Sequence, residues 1–213
     1  MADIVVFHHA QGLTPGVVDF ADGRRCAGHT VRTPDLFEGR TFDTVDQGVG
    51  HAHQIGFDTV IDRGAQAVDG LQAGLVYAGF SLGVLPAQAQ ALALALALTL
   101  TRPGARAALL FHACVSVYEL GTSWPDDVPV QVHALQADPF FVNGGDLDAV
   151  HSARRRGRGR RAVPLPRRPA PVRGQLIAVL RRGGVRAPDA ASAHLPGADA
   201  LSAADVARGR RSA

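Results

Sequence analysis

Three observations predict an α/β fold, a mostly parallel sheet covered by helices on both faces. Short apolar runs alternate with helix-length segments from Asp3 to Leu135, the order expected of strands joined by right-handed helical crossovers. The runs are continuously apolar rather than alternating, as in Ile4-Val5-Val6-Phe7, which suits strands buried on both faces. Finally, Gly79-Phe80-Ser81-Leu82-Gly83 joins one such run to a long helix-forming stretch.

Taken in order, Asp3 to His9 reads as the first strand, ending in the loop His8-His9-Ala10-Gln11-Gly12. Pro15 opens a helix that would turn Val17, Val18, Phe20, Ala21 and Cys26 to the sheet and stop at Gly28. His29 to Thr33 is a second strand, left through Pro34-Asp35-Leu36-Phe37. Phe42 to Ala67 reads as one or two helices broken near Gly56. Leu75 to Ala78, Arg106 to Cys114 and Val128 to Leu135 supply the remaining strands. Ala91 to Leu98 is a strict Ala-Leu alternation. Its period suits a strand, but both residues are strong helix formers and the stretch continues the segment after Gly83, so it reads as helix.

Gly-x-Ser-x-Gly between a strand and a helix is the pattern of a nucleophile elbow. A sharp turn lifts the serine hydroxyl out of the sheet at the positive end of a helix, and the glycines leave room for it. Ser81 would attack, and the Leu82 N–H would face the oxyanion of a tetrahedral intermediate. The competing reading is a glycine-rich turn without chemistry. His8, His9, His112 and His133 all fall at strand ends, where hydrogen-bonded structural roles are the rule, and no pair has H-x-x-x-H spacing; no metal and no cofactor is expected. Cys114 reads as a small buried hydrophobe.

The net charge of +3 hides a division. Residues 1–150 hold 7 Arg against 16 acids, a balance of −9, whereas 151–213 hold 15 Arg against 3 Asp, a balance of +12. Every aromatic residue precedes position 142, and the chain has no lysine. A domain over 1–150, followed by an irregular, largely disordered Arg/Pro/Gly/Ala-rich tail over 151–213, is therefore expected. Two cysteines make no disulfide framework, the start Met-Ala-Asp has no basic n-region, and no apolar run could span a bilayer. A cytoplasmic protein without membrane contacts is the expectation, with oligomeric state left open.

The motifs HHAQGLTPG, TPDLFEG, YAGFSLG and VPVQVHALQADPFF, in this order, resemble the dienelactone hydrolase-like branch of the α/β-hydrolases over roughly residues 3–150. The resemblance implies an α/β-hydrolase core cleaving carboxylic ester or lactone bonds, with a small-molecule ester or lactone as substrate. It assigns Ser81 as nucleophile, Asp138 as the triad carboxylate, and the N–H groups of Ala10 and Leu82 as oxyanion donors. His9 stands near the nucleophile where the family often has glutamate, and the founding members carry cysteine where this chain has Ser81.

The family's base is a late histidine in a Gly-Asp-x-His-x-Phe-like loop, which this chain lacks; only His151 and His194 come late. The family's last strand and helix are likewise replaced by the Arg-rich tail. Permitted codons for Leu165 to Arg173, shifted by one base, read Tyr-Pro-Gly-Asp-Gln-His-Leu-Phe, so a base gained or lost near residues 150–156 would account for the missing histidine, the charge reversal and the absent aromatics together. The chain as written would then be an impaired hydrolase. The alternative is a non-catalytic α/β-hydrolase remnant or binding module, with Arg154 to Arg161 as a basic nucleic-acid arm. That arm lacks the aromatic or polar readers such segments usually interleave, which makes it the weaker reading.

Overall fold

The computed structural model describes residues 1–96, 105–116, 124, 128–135, 141, 143–150, 161–162 and 176–181. Five parallel strands form the body of one sheet: β1 (Asp3–Phe7), β2 (Thr30–Arg32), β3 (Val76–Phe80), β4 (Ala107–Phe111) and β5 (Val130–Leu135), in the order β2-β1-β3-β4-β5. The expected mostly parallel sheet is what forms.

The continuous apolar runs are explained by two separate cores. Val5, Phe7, Tyr77, Ala108, Leu110, Val130 and Val132 point to one face, and Ile4, Val6, Val76, Ala78, Phe80, Leu109 and Phe111 to the other. Successive side chains alternate between faces, and both faces are covered, so no position along these strands can be polar without a partner.

The second face carries helix α1 (Pro15–Cys26), with Pro at its start and Val17 and Ala21 buried. Cys26 is exposed, contrary to the sequence expectation. At about 100° per residue, nine residues put it half a turn away from Val17, on the solvent side.

The first face carries α2 (Val45–Ile55), α3 (Phe57–Val68) and α4 (Val84–Leu96). A capping box between Thr44 and Gln47 starts α2. Gly56 breaks α2 from α3 with φ 85, a conformation that glycine adopts without Cβ strain. The Ala-Leu alternation is helical as far as Leu96, and positions 97–98 lie outside the described residues. From Val84 to Leu92 nearly every α4 residue is buried, Gln88 included, as expected for a helix that is apolar all round and sits centrally.

The tail contributes two strands to the sheet. β7 (Leu176–Arg181) pairs antiparallel with β5, and β6 (Arg161–Ala162) pairs antiparallel with β7. Within the tail expected to be largely disordered, these residues add strands to the sheet. Leu176-Ile177-Ala178-Val179-Leu180 is a β-competent apolar run, and the edge of β5 offers it unpaired backbone groups. The rest of 151–213 lies outside the described residues. Among those described, no helix is long and apolar enough to cross a membrane.

Candidate active site

The turn after β3 is as sharp as the Gly-x-Ser-x-Gly pattern requires. Phe80 is extended (φ −105, ψ 121), Ser81 flips to φ 49, and Ser81–Gly83 make one 3₁₀ turn that runs directly into α4. Positive φ at a non-glycine residue costs on the order of 1–3 kcal/mol and persists where surrounding structure enforces it. Here the enforcement is visible at both glycines. A Cβ on Gly79 would land on the backbone of Gly83 and Val84, and one on Gly83 would land on the carbonyls of Phe7 and His8. The turn is therefore closed against itself and against the end of β1, and only glycine fits at either position.

That second contact brings two site segments together. The register Phe7↔Gly79 sets the ends of β1 and β3 side by side, so the loop from His8 to Gly12 borders the Ser81 turn. Ser81, Leu82, Ala10 and His9 are all buried, at 4%, 1%, 1% and 8% exposure, and all belong to this one junction. The positive end of α4 lies here too, with no acid in its first turn.

The loop itself is fixed by its two histidines. His8 Nδ1 lies 2.8 Å from the His9 carbonyl, and the Leu36 N–H donates to His8 Nε2 at 2.9 Å. A carbonyl can only accept and an N–H can only donate, so His8 is neutral with its proton on Nδ1. His9 has the opposite tautomer: the Gln11 N–H donates to its Nδ1 at 3.1 Å, which leaves Nε2–H to donate to Thr14 Oγ1 at 3.1 Å. Thr14 is the residue preceding α1, and its hydroxyl makes no cap bond to that helix.

The turn at 34–39 supports His8 from behind. Asp35 accepts from the Phe37 and Gly39 N–H groups at 2.9 and 2.5 Å, Arg63 of α3 donates to the Leu36 carbonyl at 2.7 Å, and the Phe37 ring meets His8 edge-on at 4.9 Å.

Burial lowers the pKa of His8 against the opposing pull of the His9 carbonyl and Asp35. Burial, with some repulsion from His8, lowers His9 to about 4. The folded pKa of His9 is thus below its unfolded value near 6.5, so the unfolded chain binds the proton first as pH falls. Stability is lost from about pH 6.5 downward and the loss is complete near pH 4. At pH 5 His9 alone is expected to cost about 2 kcal/mol relative to pH 7. Urea unfolding at the two pH values checks this: the midpoint should fall at pH 5, and an unchanged midpoint would contradict the neutral, buried assignment.

The segment after β4 is anchored by residues that sequence patterns did not single out. Gln88 of α4 accepts from the Val115 N–H at 2.8 Å and donates to the Val115 carbonyl at 2.9 Å, a side-chain imitation of strand pairing. Asp146, 1% exposed at the start of a helical stretch over 146–150, accepts from the Cys114 N–H at 2.6 Å. Burial and Asp146 both push the Cys114 thiol up, which keeps it protonated and unreactive. Asp138 lies outside the described residues. A polar hollow lined by Asp3, Thr30, Arg32 and Gln72 opens at the amino ends of β1 and β2, away from Ser81.

Among solved structures, the chain is similar to a dienelactone hydrolase-like promiscuous phosphotriesterase, P91, from metagenomic libraries. The identity is 23% and the TM-score 0.52, with 74% of this chain and 66% of that one covered. The fold is an α/β-hydrolase core. A structure named m3DLH also matches, at 23% identity and TM-score 0.48, covering 99% of this chain and 83% of its own. No protein-family model matches the chain, and comparison with curated proteins finds no match.

Proposed function

We propose that this α/β-hydrolase core belongs to a hydrolase of the dienelactone hydrolase-like kind that cleaves carboxylic ester or lactone bonds through Ser81. The observation that carries the reading is the conformation of Ser81 itself: a non-glycine residue at φ 49, on a turn whose two flanking glycines leave no room for a Cβ, at the head of a buried helix. Glu38 and His112 also adopt positive φ, but among the described residues only Ser81 combines it with a nucleophilic hydroxyl at the start of a helix.

In this reading Ser81 Oγ attacks the acyl carbon, and the N–H groups of Leu82 and Ala10 receive the negative charge that develops on the carbonyl oxygen. Asp138 is the carboxylate that would orient an imidazole. Among the described residues, the two histidines of the loop after β1 do not supply that imidazole. His8 and His9 border Ser81, but each ring already holds its lone pair against a backbone N–H, from Leu36 and Gln11 respectively, so neither is poised to take the serine proton. Oxyanion stabilisation without a general base supports weak turnover of activated esters at most.

A fluorophosphonate probe reports on the serine directly. Wild type should label slowly but measurably, and Ser81→Ala should not label; equal labelling of the two would overturn the assignment. The similarity to a protein named a promiscuous phosphotriesterase makes an activated phosphotriester the natural companion to p-nitrophenyl esters in the substrate panel.

A further inference from the structure

We propose that His8 and His9 are positioning residues for the oxyanion donor Ala10, acting as two neutral imidazoles of opposite tautomer that fix successive peptide planes. The inference rests on the reading of Ser81 as nucleophile and deepens it, because it assigns these histidines away from proton transfer.

The geometry follows from peptide planarity. The His9 carbonyl accepts from His8 Nδ1–H at 2.8 Å and from the Gly12 N–H at 3.0 Å. The N–H of the same trans peptide, that of Ala10, must then point the opposite way. In the next peptide the Gln11 N–H donates to His9 Nδ1. Its carbonyl, that of Ala10, packs against α2 where a Cβ on Gly48 would strike it. One plane is thus held by the His8 ring and the other by the His9 ring, and Ala10 sits between them with neither peptide free to rotate.

Beyond the loop, His8 is held by the Leu36 N–H and His9 by Thr14 Oγ1, a hydroxyl that makes no cap bond to α1. Among the described residues, the titratable groups facing the pair are each other and Asp35, whose carboxylate is 3.7 Å from His8 Nε2. A proton added to His8 Nε2 would confront the Leu36 N–H, and one added to His9 Nδ1 would confront the Gln11 N–H. Burial lowers both pKa values, that of His9 to about 4, so these donor–donor conflicts do not arise near neutral pH.

His9 is the residue to test, because its bond to an N–H two residues on is the one that an asparagine side chain makes in an Asx turn. His9→Asn keeps the acceptor and removes the imidazole, whereas His9→Ala removes both. Fluorophosphonate labelling of Ser81 is expected to stay within about threefold of wild type in His9→Asn and to fall on the order of tenfold or more in His9→Ala. If His9→Asn is as slow as His9→Ala, the ring has a chemical role and the proposal is wrong. Wild-type rates in His9→Ala would equally overturn it.

Amide exchange at Gln11 is a readout that needs no labelling. The amide should be protected in wild type and in His9→Asn and exchange faster in His9→Ala, with equal exchange in all three counting against the strut. If wild type labels no faster than Ser81→Ala, the nucleophile reading fails. The exchange result then still decides whether His9 holds the loop.

Discussion

Restoring the reading frame near residue 153 is expected to raise Ser81-dependent ester turnover by on the order of 10⁴ to 10⁶, the usual effect of completing a triad that lacks one member. The expectation rests on the described part of the site. The strained serine, the closed glycine turn and the doubly held loop from His8 to Gly12 all lie upstream of the proposed frame change. His8 and His9 are committed to backbone N–H groups, which is why the expectation looks to a histidine of the repaired frame for the base. Repair by one base in the gene, followed by kcat measurements on p-nitrophenyl esters for the original and repaired proteins, reads the gain. Activity in the repaired protein should depend on Ser81, Asp138 and the recovered histidine. Strong turnover in the unrepaired chain would contradict the proposal, and so would a repaired chain that gains nothing.

Gly83→Ala should be strongly damaging. Its Cβ would be driven into the carbonyls of Phe7 and His8. Both are backbone atoms at the end of a central strand, so no side-chain rotation can relieve the clash. The turn would have to move off β1, which is expected to cost about 3 kcal/mol and to displace Ser81 from Ala10. Gly50→Ala is the matched control: it lies in α2 with nothing within 4 Å of the added carbon. There the change should stabilise by about 0.5–1 kcal/mol through helix propensity. Urea midpoints of the two variants should move in opposite directions from wild type. A Gly83→Ala protein as stable as wild type would mean that the turn is not closed as described.

What was legible in the sequence was local. Pro15, Gly56 and the Gly-x-Ser-x-Gly pattern each impose a backbone conformation within a few residues, and α1, the α2–α3 break and the Ser81 turn lie where they predicted. What was not legible depends on partners far along the chain. His8 binds Leu36, 28 residues on, Gln88 clasps Val115, 27 residues on, and Asp146 reaches back 32 residues to Cys114. No period or spacing announces such pairs, because they exist only once β1, β3 and β4 lie side by side. The Gly-Gly-Asp sequence before Leu147 was the one local hint for Asp146, since an acid in that setting commonly caps a helix. The antiparallel placement of β7 was missed for a related reason: composition marks its segment as part of a basic tail, and only the open edge of β5 makes it a strand.

The order of the parallel strands also decides when the sheet can form during synthesis. β3 pairs with β1 on one side and β4 on the other, so the central ladder waits for the chain to pass Phe111, and the fifth strand is complete at Leu135. More than 70 residues remain to be made at that point, which at about 5–20 residues per second takes several seconds. Folding of a mixed α/β domain is usually faster than that. The acidic, aromatic-rich part of the chain therefore has time to close its two cores before most of the arginines leave the ribosome, and the basic segment meets a sheet already built, which β7 joins at the edge of β5.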